Sequence, residues 1–198
     1  MMFKNTRAKR TSMNMNFQSN ISKSNNIIVA SKNTNIKQMT SHPPAPESPK
    51  KLWGEPIWTF IHSICEKAKE DEFNKIKNDL IETLKLICMN LPCPDCSMHS
   101  KQYLDKLYSS SIKNKNDLKM YFFYFHNDVN KRTGKSEESV EILKKYESAD
   151  LNNIYNSFIF YFKEQYHSIK LISENLYRLR IAGSIETWFK QNNKHFNY

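Results

Sequence analysis

The sequence predicts an all-α fold: a four- to five-helix bundle, with a disordered tail before it and a helical extension after it. Three observations carry this. Apolar residues recur at spacings of three and four through most of the chain beyond Pro56, alternation of the β type with hairpin turn signals is absent, and Pro92, Gly134 and Gly183 punctuate the periodic stretches.

The first element starts at Pro56, where PIWTFIHSICEKAKE sets Trp58, Ile61, His62 and Cys65 at helical spacing. The second, FNKIKNDLIETLKLICMNL, aligns Phe73, Ile76, Leu80, Leu84, Ile87 and Leu91 until Pro92 stops it. Pro94 suits the first turn of a third helix, because its fixed φ and missing N–H do no harm there. That helix carries Cys96, His99 and Tyr103 on or near one face. A fourth runs from about Asn116 to Arg132, with Gly134 as its stop. SEESVEILKKY opens another helix with Ser136 as candidate cap and Glu137 and Glu138 in the first turn. Residues 150–182 give a long helical pattern that Gly183 breaks, and Ile185, Trp188 and Phe189 mark a last amphipathic piece. No internal repeat is found.

Charge divides the chain. The formal net charge of +10 places +8 on residues 1–51 and +2 on the rest. A basic excess confined to a tail describes a solvated arm, and argues against a nucleic-acid-binding fold. Residues 1–41 are rich in Asn, Ser, Lys and Thr, and HPPAPESP at 42–49 is a stiff spacer, so residues 1–50 are expected to be disordered. The tail lacks the apolar run of a secretory signal, and nowhere do about 18 apolar residues run together, which predicts a soluble protein with no membrane partner.

Chemistry centres on Cys93-Pro94-Asp95-Cys96. Cys88, Cys93, Cys96 and His99 could ligate zinc within twelve residues, although structural zinc sites usually draw on two well-separated pairs. The other reading is a redox disulfide at a helix N-terminus, where unpaired N–H groups and the helix dipole favour thiolate and hence exchange. Cys65 and Cys88, inside apolar patterns, read as small buried hydrophobes. Trp58 and His126, taken singly, read as packed core.

Three motifs in this order and spacing, WGEPIWTFIH at 53–62, LPCPDC at 91–96 and FHNDVNKRTGK at 125–135, make the sequence resemble the Erv/ALR family of FAD-linked sulfhydryl oxidases, most closely its forms in large DNA viruses. The resemblance covers about 85 residues and leaves both ends outside. It implies a helical bundle that binds FAD, an enzyme that oxidises protein dithiols with molecular oxygen and yields hydrogen peroxide, and no metal. It assigns substrate exchange to Cys93 and contact with the flavin to Cys96. It implies cofactor contacts from Gly54, Trp58 and His62, a pocket lined by His126, Asn127 and Asn130, and cationic support from Lys131 and Lys135. It also implies a homodimer through the first two helices.

The pattern is departed from at Glu55, where an Arg is common, and at Phe123, where a cysteine is common; residues 136–148 contain no cysteine to complete a distal disulfide. The shuttle cysteine pair of some members is absent too. The expected organisation is a basic tail over 1–50, an oxidase domain over 51–148 and a helical extension over 149–198 that replaces the missing staple by packing. For location the reading is host cytoplasm or virion, with the mitochondrial intermembrane space as alternative. The rival function is a zinc-stabilised helical interaction module with a basic nucleic-acid-binding tail.

Overall fold

The computed structural model describes residues 50–164 and 172–198, all within the compact unit Pro43–Tyr198. The tail expected to be disordered lies outside the described residues, except that Lys50 is the first residue of a helix. The described residues form six α-helices and short 3-10 turns, with a single isolated β-bridge between Ala68 and Phe196. The all-α expectation is met.

Helix α1 spans Lys50–Lys67 and begins six residues before the expected Pro56. The extra turn buries Trp53 on the same stripe as Ile57, Phe60, Ile61 and Ile64. Packing of that stripe outweighs the backbone hydrogen bond that an internal proline removes. Helix α2, Phe73–Met89, buries Phe73, Ile76, Leu80, Leu84 and Ile87 and ends ahead of Pro92, with the Asn90 side chain donating back to the Leu86 carbonyl at 2.7 Å. Helix α3, Pro94–Leu104, has Pro94 in its first turn as expected.

Helix α4, Lys115–Arg132, opens with a reciprocal capping box: the Asp117 N–H donates to Asn114 Oδ1 at 2.9 Å, and the Asn114 N–H to Asp117 Oδ2 at 3.3 Å. Its exit is a Schellman turn. Gly134 takes φ +73°, its N–H donates to the Lys131 carbonyl at 3.2 Å, and the Lys135 N–H donates to the Asn130 carbonyl at 2.9 Å.

Residues 135–146 correct the expected helix capped by Ser136. The Asn127 side chain grips the Glu138 backbone at both its N–H and its carbonyl, each at 2.9 Å. Helix formation is thereby postponed to Ser139, and a 3-10 segment follows over Val140–Tyr146. Val140, Leu143 and Tyr146 recur every three residues, the period of a 3-10 helix. Leu143 and Tyr146 bury against Phe123, the position where the resemblance placed half of a disulfide. The tie between α4 and the chain beyond is therefore made first by 140–146, nearer in sequence than the extension expected to provide it.

Helix α5, Leu151–Lys163, is capped by Asp150, whose carboxylate accepts from the Asn153 N–H at 3.0 Å. Its Phe158 stacks on Phe60 of α1 with centroids 4.2 Å apart. Helix α6, Ile172–Asn192, runs through Gly183, which does not break it. A helical glycine costs about 1 kcal/mol, less than is gained by burying Ile185 and Phe189 beside it, at roughly 1.5–3 kcal/mol each. The expected single pattern over 150–182 is instead two helices, with residues 165–171 outside the described set. Arg178 fastens the end of α5, donating to the carbonyls of Phe162 and Glu164 at 3.1 Å each. Beyond α6 the chain returns to α1, where the Asn197 N–H donates to the Lys67 carbonyl at 2.7 Å. Helix α1 is thus the hub: α4, α5 and the 3-10 segment all pack on it.

A helix-capping disulfide and a buried histidine pair

The turn after Pro92 places Cys93 as the N-cap of α3 in extended conformation, and Cys93 and Cys96 form a disulfide with Cα atoms 5.2 Å apart. The Cys96 N–H donates to Cys93 Sγ at 3.3 Å. One of the four N–H groups left open at a helix start is thereby directed at sulfur, which favours negative charge on that atom when the bond is reduced. Cys93 is 5% exposed, while Cys96 is partly exposed and packs against the core.

On α1 and α4 the sequence motifs converge. Trp58 and His126 stack in parallel, with centroids 4.0 Å apart and 4° between planes. His62, one turn beyond Trp58, meets His126 through a 2.9 Å hydrogen bond between Nε2 and Nδ1. Burial pushes His62 down to about 3, with His126 and Lys145 adding to the effect; burial, then Lys135 and Lys145, pushes His126 down to about 4. Both rings are neutral at neutral pH, so one donates and the other accepts. Tyr146 covers His62 from the 3-10 segment at 5.1 Å.

The other expected residues separate into groups. Asn130 is buried on α4, and its carbonyl serves the helix exit. Asn127 has its carboxamide committed to Glu138. Lys131 and Lys135 are exposed at the end of α4, Lys131 lining a groove of about 490 Å³ with Asn127, Asp128 and Tyr124. Gly54 lies on α1 one turn before Trp58, and a Cβ there would meet nothing within 4 Å.

Phe125 was not foreseen as a site residue. It stands edge-on to Trp58 at 5.3 Å, stacks on Tyr103 at 4.5 Å and lies 6.1 Å from His99, and so joins the aromatic slab to the helix that carries the cysteines. Lys145, Tyr146 and Asp128 were missed as well. Asp128 pairs with His99, Nε2 to Oδ2 at 2.9 Å. Only the i+3 offset of Phe125 from Phe122 and the placement of Asp128 between two named asparagines were visible beforehand, and neither distinguishes a site from a packed or solvated face.

These residues suit a flat redox cofactor. An aromatic and imidazole slab offers stacking surface, neutral imidazoles add hydrogen-bonding edges without buried charge, and His62 Nδ1 is buried with no hydrogen-bond partner among the described residues. Exposed Lys135 and Lys145 lie close enough to act electrostatically on His126. A zinc set is not assembled. Cys88 is buried in α2, Cys93 and Cys96 are bonded to each other, and among the described residues no three His, Cys, Asp or Glu side chains gather as a metal site. Burial pushes the Cys65 and Cys88 thiols well up, so both are inert packing groups.

A sequence model of the Erv1 / Alr family matches residues 55–167, a span that includes α1 through α5 apart from the first turn of α1. An FAD-linked sulfhydryl oxidase of African swine fever virus (isolate Tick/Malawi/Lil 20-1/1983) is 32% identical over 103 residues, 52% of this chain and 86% of its own. A fowlpox virus (strain NVSL) protein named as a probable FAD-linked sulfhydryl oxidase is 31% identical over 98 residues, covering 48% of this chain and 92% of its own. A protein of invertebrate iridescent virus 3 is 26% identical over 88 residues, 44% of this chain, and there the match spans only 60% of the relative's length. No solved structure matches the chain.

Proposed function

We propose, from the premise that this chain belongs to the Erv1/Alr family, that it is an FAD-linked sulfhydryl oxidase that makes disulfides in dithiol substrates and passes the electrons to oxygen as hydrogen peroxide. The observation that carries the reading is the Cys93–Cys96 disulfide at the N-terminus of α3, with Phe125 linking that helix to the Trp58–His126–His62 array.

A substrate thiolate attacks Cys93 Sγ, the Cys93–Cys96 bond breaks, and Cys96 leaves as thiolate. The second substrate thiol then attacks the mixed disulfide, which releases oxidised substrate and leaves both cysteines reduced. The Cys96 N–H, the helix dipole and the other open N–H groups of the first turn favour the charge these steps create. FAD, when bound, supplies the two-electron acceptor and the route to oxygen. Trp58 and His126 give it a flat face, His62 Nδ1 and Asn130 give polar contacts, Gly54 permits close approach along α1, and Lys131 and Lys135 balance its negative groups, with Asn127 holding the loop that borders them. Because Cys93 is 5% exposed, thiols on flexible segments are better substrates than thiols fixed in a folded surface.

We read the protein as viral, acting in host cytoplasm or virion, and as a homodimer through α1 and α2. Among the described residues no helix is long and apolar enough to cross a membrane. Nothing in the cysteine geometry or in the family match favours the zinc-held module.

A visible spectrum of the purified protein before and after a dithiol tests the proposal. A flavin band that bleaches on addition and returns with oxygen is expected. A colourless protein, or a band indifferent to dithiol, overturns it.

A further inference from the structure

The His99–Asp128 pair is used by nothing so far assigned. His99 follows Cys96 by three residues on α3, so the two side chains are neighbours on one helix face, and long helical side chains lean back over the preceding turn. The ordinary direction of that lean is toward the cysteine turn. Asp128 reaches across from α4 and pairs with Nε2 at 2.9 Å, which orients the ring and leaves Nδ1 as the nitrogen not engaged by the carboxylate. Phe125 walls the imidazole on the α4 side, at 6.1 Å between ring centroids. His99 is 19% exposed and Asp128 44% exposed, so the ring is fixed by its surroundings while its carboxylate partner remains solvated. A thiol, an imidazole and an orienting carboxylate in this order form an activation relay.

We propose that His99, held by Asp128, takes the proton of the Cys96 thiol. This rests on the oxidase reading. In the reduced protein the S–H bond of Cys96 breaks, its electron pair stays on sulfur, and the proton moves to His99 Nδ1, giving thiolate and imidazolium; Asp128 compensates the new positive charge. In the opposite half of the cycle, the imidazolium receives the thiolate that departs from Cys93. No electron leaves the cysteines in this step.

Other charges near the pair are few. On α3 they are Asp95 in the first turn and Lys101 in the last. From α4 come Asp128 and Lys131, and from the loop beyond it Glu137 and Glu138 border the same groove. Tyr103, whose phenol burial raises, sits one turn further along α3. The last turn of α2, which packs on α3, contributes no basic side chain.

The test is the pH dependence of iodoacetamide alkylation at Cys96 in the full-length Cys93→Ser protein as purified, with the modified site mapped by mass spectrometry. Buried Cys65 and Cys88 do not compete. Adding His99→Gln should move the midpoint upward and slow alkylation at pH 7 about ten-fold, as expected when a lowered thiol returns toward an ordinary value. Asp128→Asn should move it in the same direction by less. If His99 merely packs, the loss of a nearby negative charge moves the midpoint downward instead, and that result, or an unchanged midpoint in His99→Gln, overturns the proposal. A second readout needs no change at His99: in nitrogen-15 spectra of the Cys93→Ser protein, alkylating Cys96 must shift the titration midpoint of the His99 ring, and an unmoved midpoint is equally decisive against it. Absence of flavin and oxidase activity in the unmodified protein would sink the oxidase reading alone, since neither measurement depends on turnover.

Discussion

Cys96 and Cys93 are chemically alike but differently placed: Cys93 caps α3 and is buried, whereas Cys96 lies one turn in and is partly exposed. On the proposed assignment of Cys96 as the thiol that faces the cofactor, Cys96→Ser should leave FAD bound and abolish bleaching by dithiol; normal turnover in that variant, measured by oxygen uptake, would contradict the assignment. The His62–His126 pair predicts a pH dependence of stability. Both are held below the ordinary histidine value of 6.5, at about 3 and about 4, chiefly by burial. The unfolded chain then binds more protons than the native one between those values and 6.5, so the pair's contribution is complete above about pH 7 and is lost progressively as pH falls toward 3. Thermal melts should show the midpoint dropping across that window, and His62→Gln should flatten the slope. The motifs named Trp58, His62 and His126 in advance because each sits at a motif position. Phe125, Asp128, Tyr146 and Lys145 stayed hidden, since a phenylalanine in an apolar run or a lysine beside a tyrosine acquires a role only when another element packs on it.

Helix boundaries were legible where local chemistry decides them and illegible where packing does. Asn114 and Asp117 close α4 at one end and Gly134 at the other, each with its own hydrogen bonds, and both ends fell within about one residue of expectation. Pro56 and Gly183 were read as punctuation by intrinsic preference, yet both lie inside helices, because Trp53 and Ile57 on one and Ile185 and Phe189 on the other bury surface that outweighs the local cost. The 135–146 stretch failed for another reason: its acidic first turn resembles a helix start, and only the Asn127 grip on Glu138 and the threefold spacing of Val140, Leu143 and Tyr146 select the 3-10 form. Gly54 allows a sharp test of what this helix face is for. With open space around its Cβ position, Gly54→Ala should raise the stability of the flavin-free protein by about 1 kcal/mol in denaturant melts. If the cofactor approaches there, the same change weakens FAD binding; equal gains in both forms would remove Gly54 from the site. Phe123→Ala should cost about 3 kcal/mol, the low end for a buried phenylalanine, because it dissolves the cluster that stands in for a disulfide.

Residues 149–198 were expected to dock on the bundle, and the contacts show that the core of α1 depends on them. Phe60, fully buried, stacks on Phe158 of α5; Tyr155 of α5 stacks on Phe189 of α6 at 3.9 Å; and the strand-like return at Phe196 closes over the end of α1. The periodicity of this extension was plain in the sequence, but its partner was not, since an apolar stripe records only that something covers it. Leu151, Phe158, Phe162, Ile185, Phe189 and Phe196 are all buried, and each is worth roughly 1.5–3 kcal/mol. Their sum equals or exceeds the whole net stability of an ordinary domain, about 5–15 kcal/mol. A chain cut to residues 51–148 should therefore lose its cooperative melt, bind a hydrophobic dye and release its flavin, whereas one that starts at Lys50 and runs to Tyr198 should keep its melting temperature and its activity on a small dithiol. Should the 51–148 fragment instead melt cooperatively at the temperature of the full chain with flavin bound, α5 and α6 would be a separate module resting on a self-sufficient bundle, and the dependence of α1 on them would be wrong.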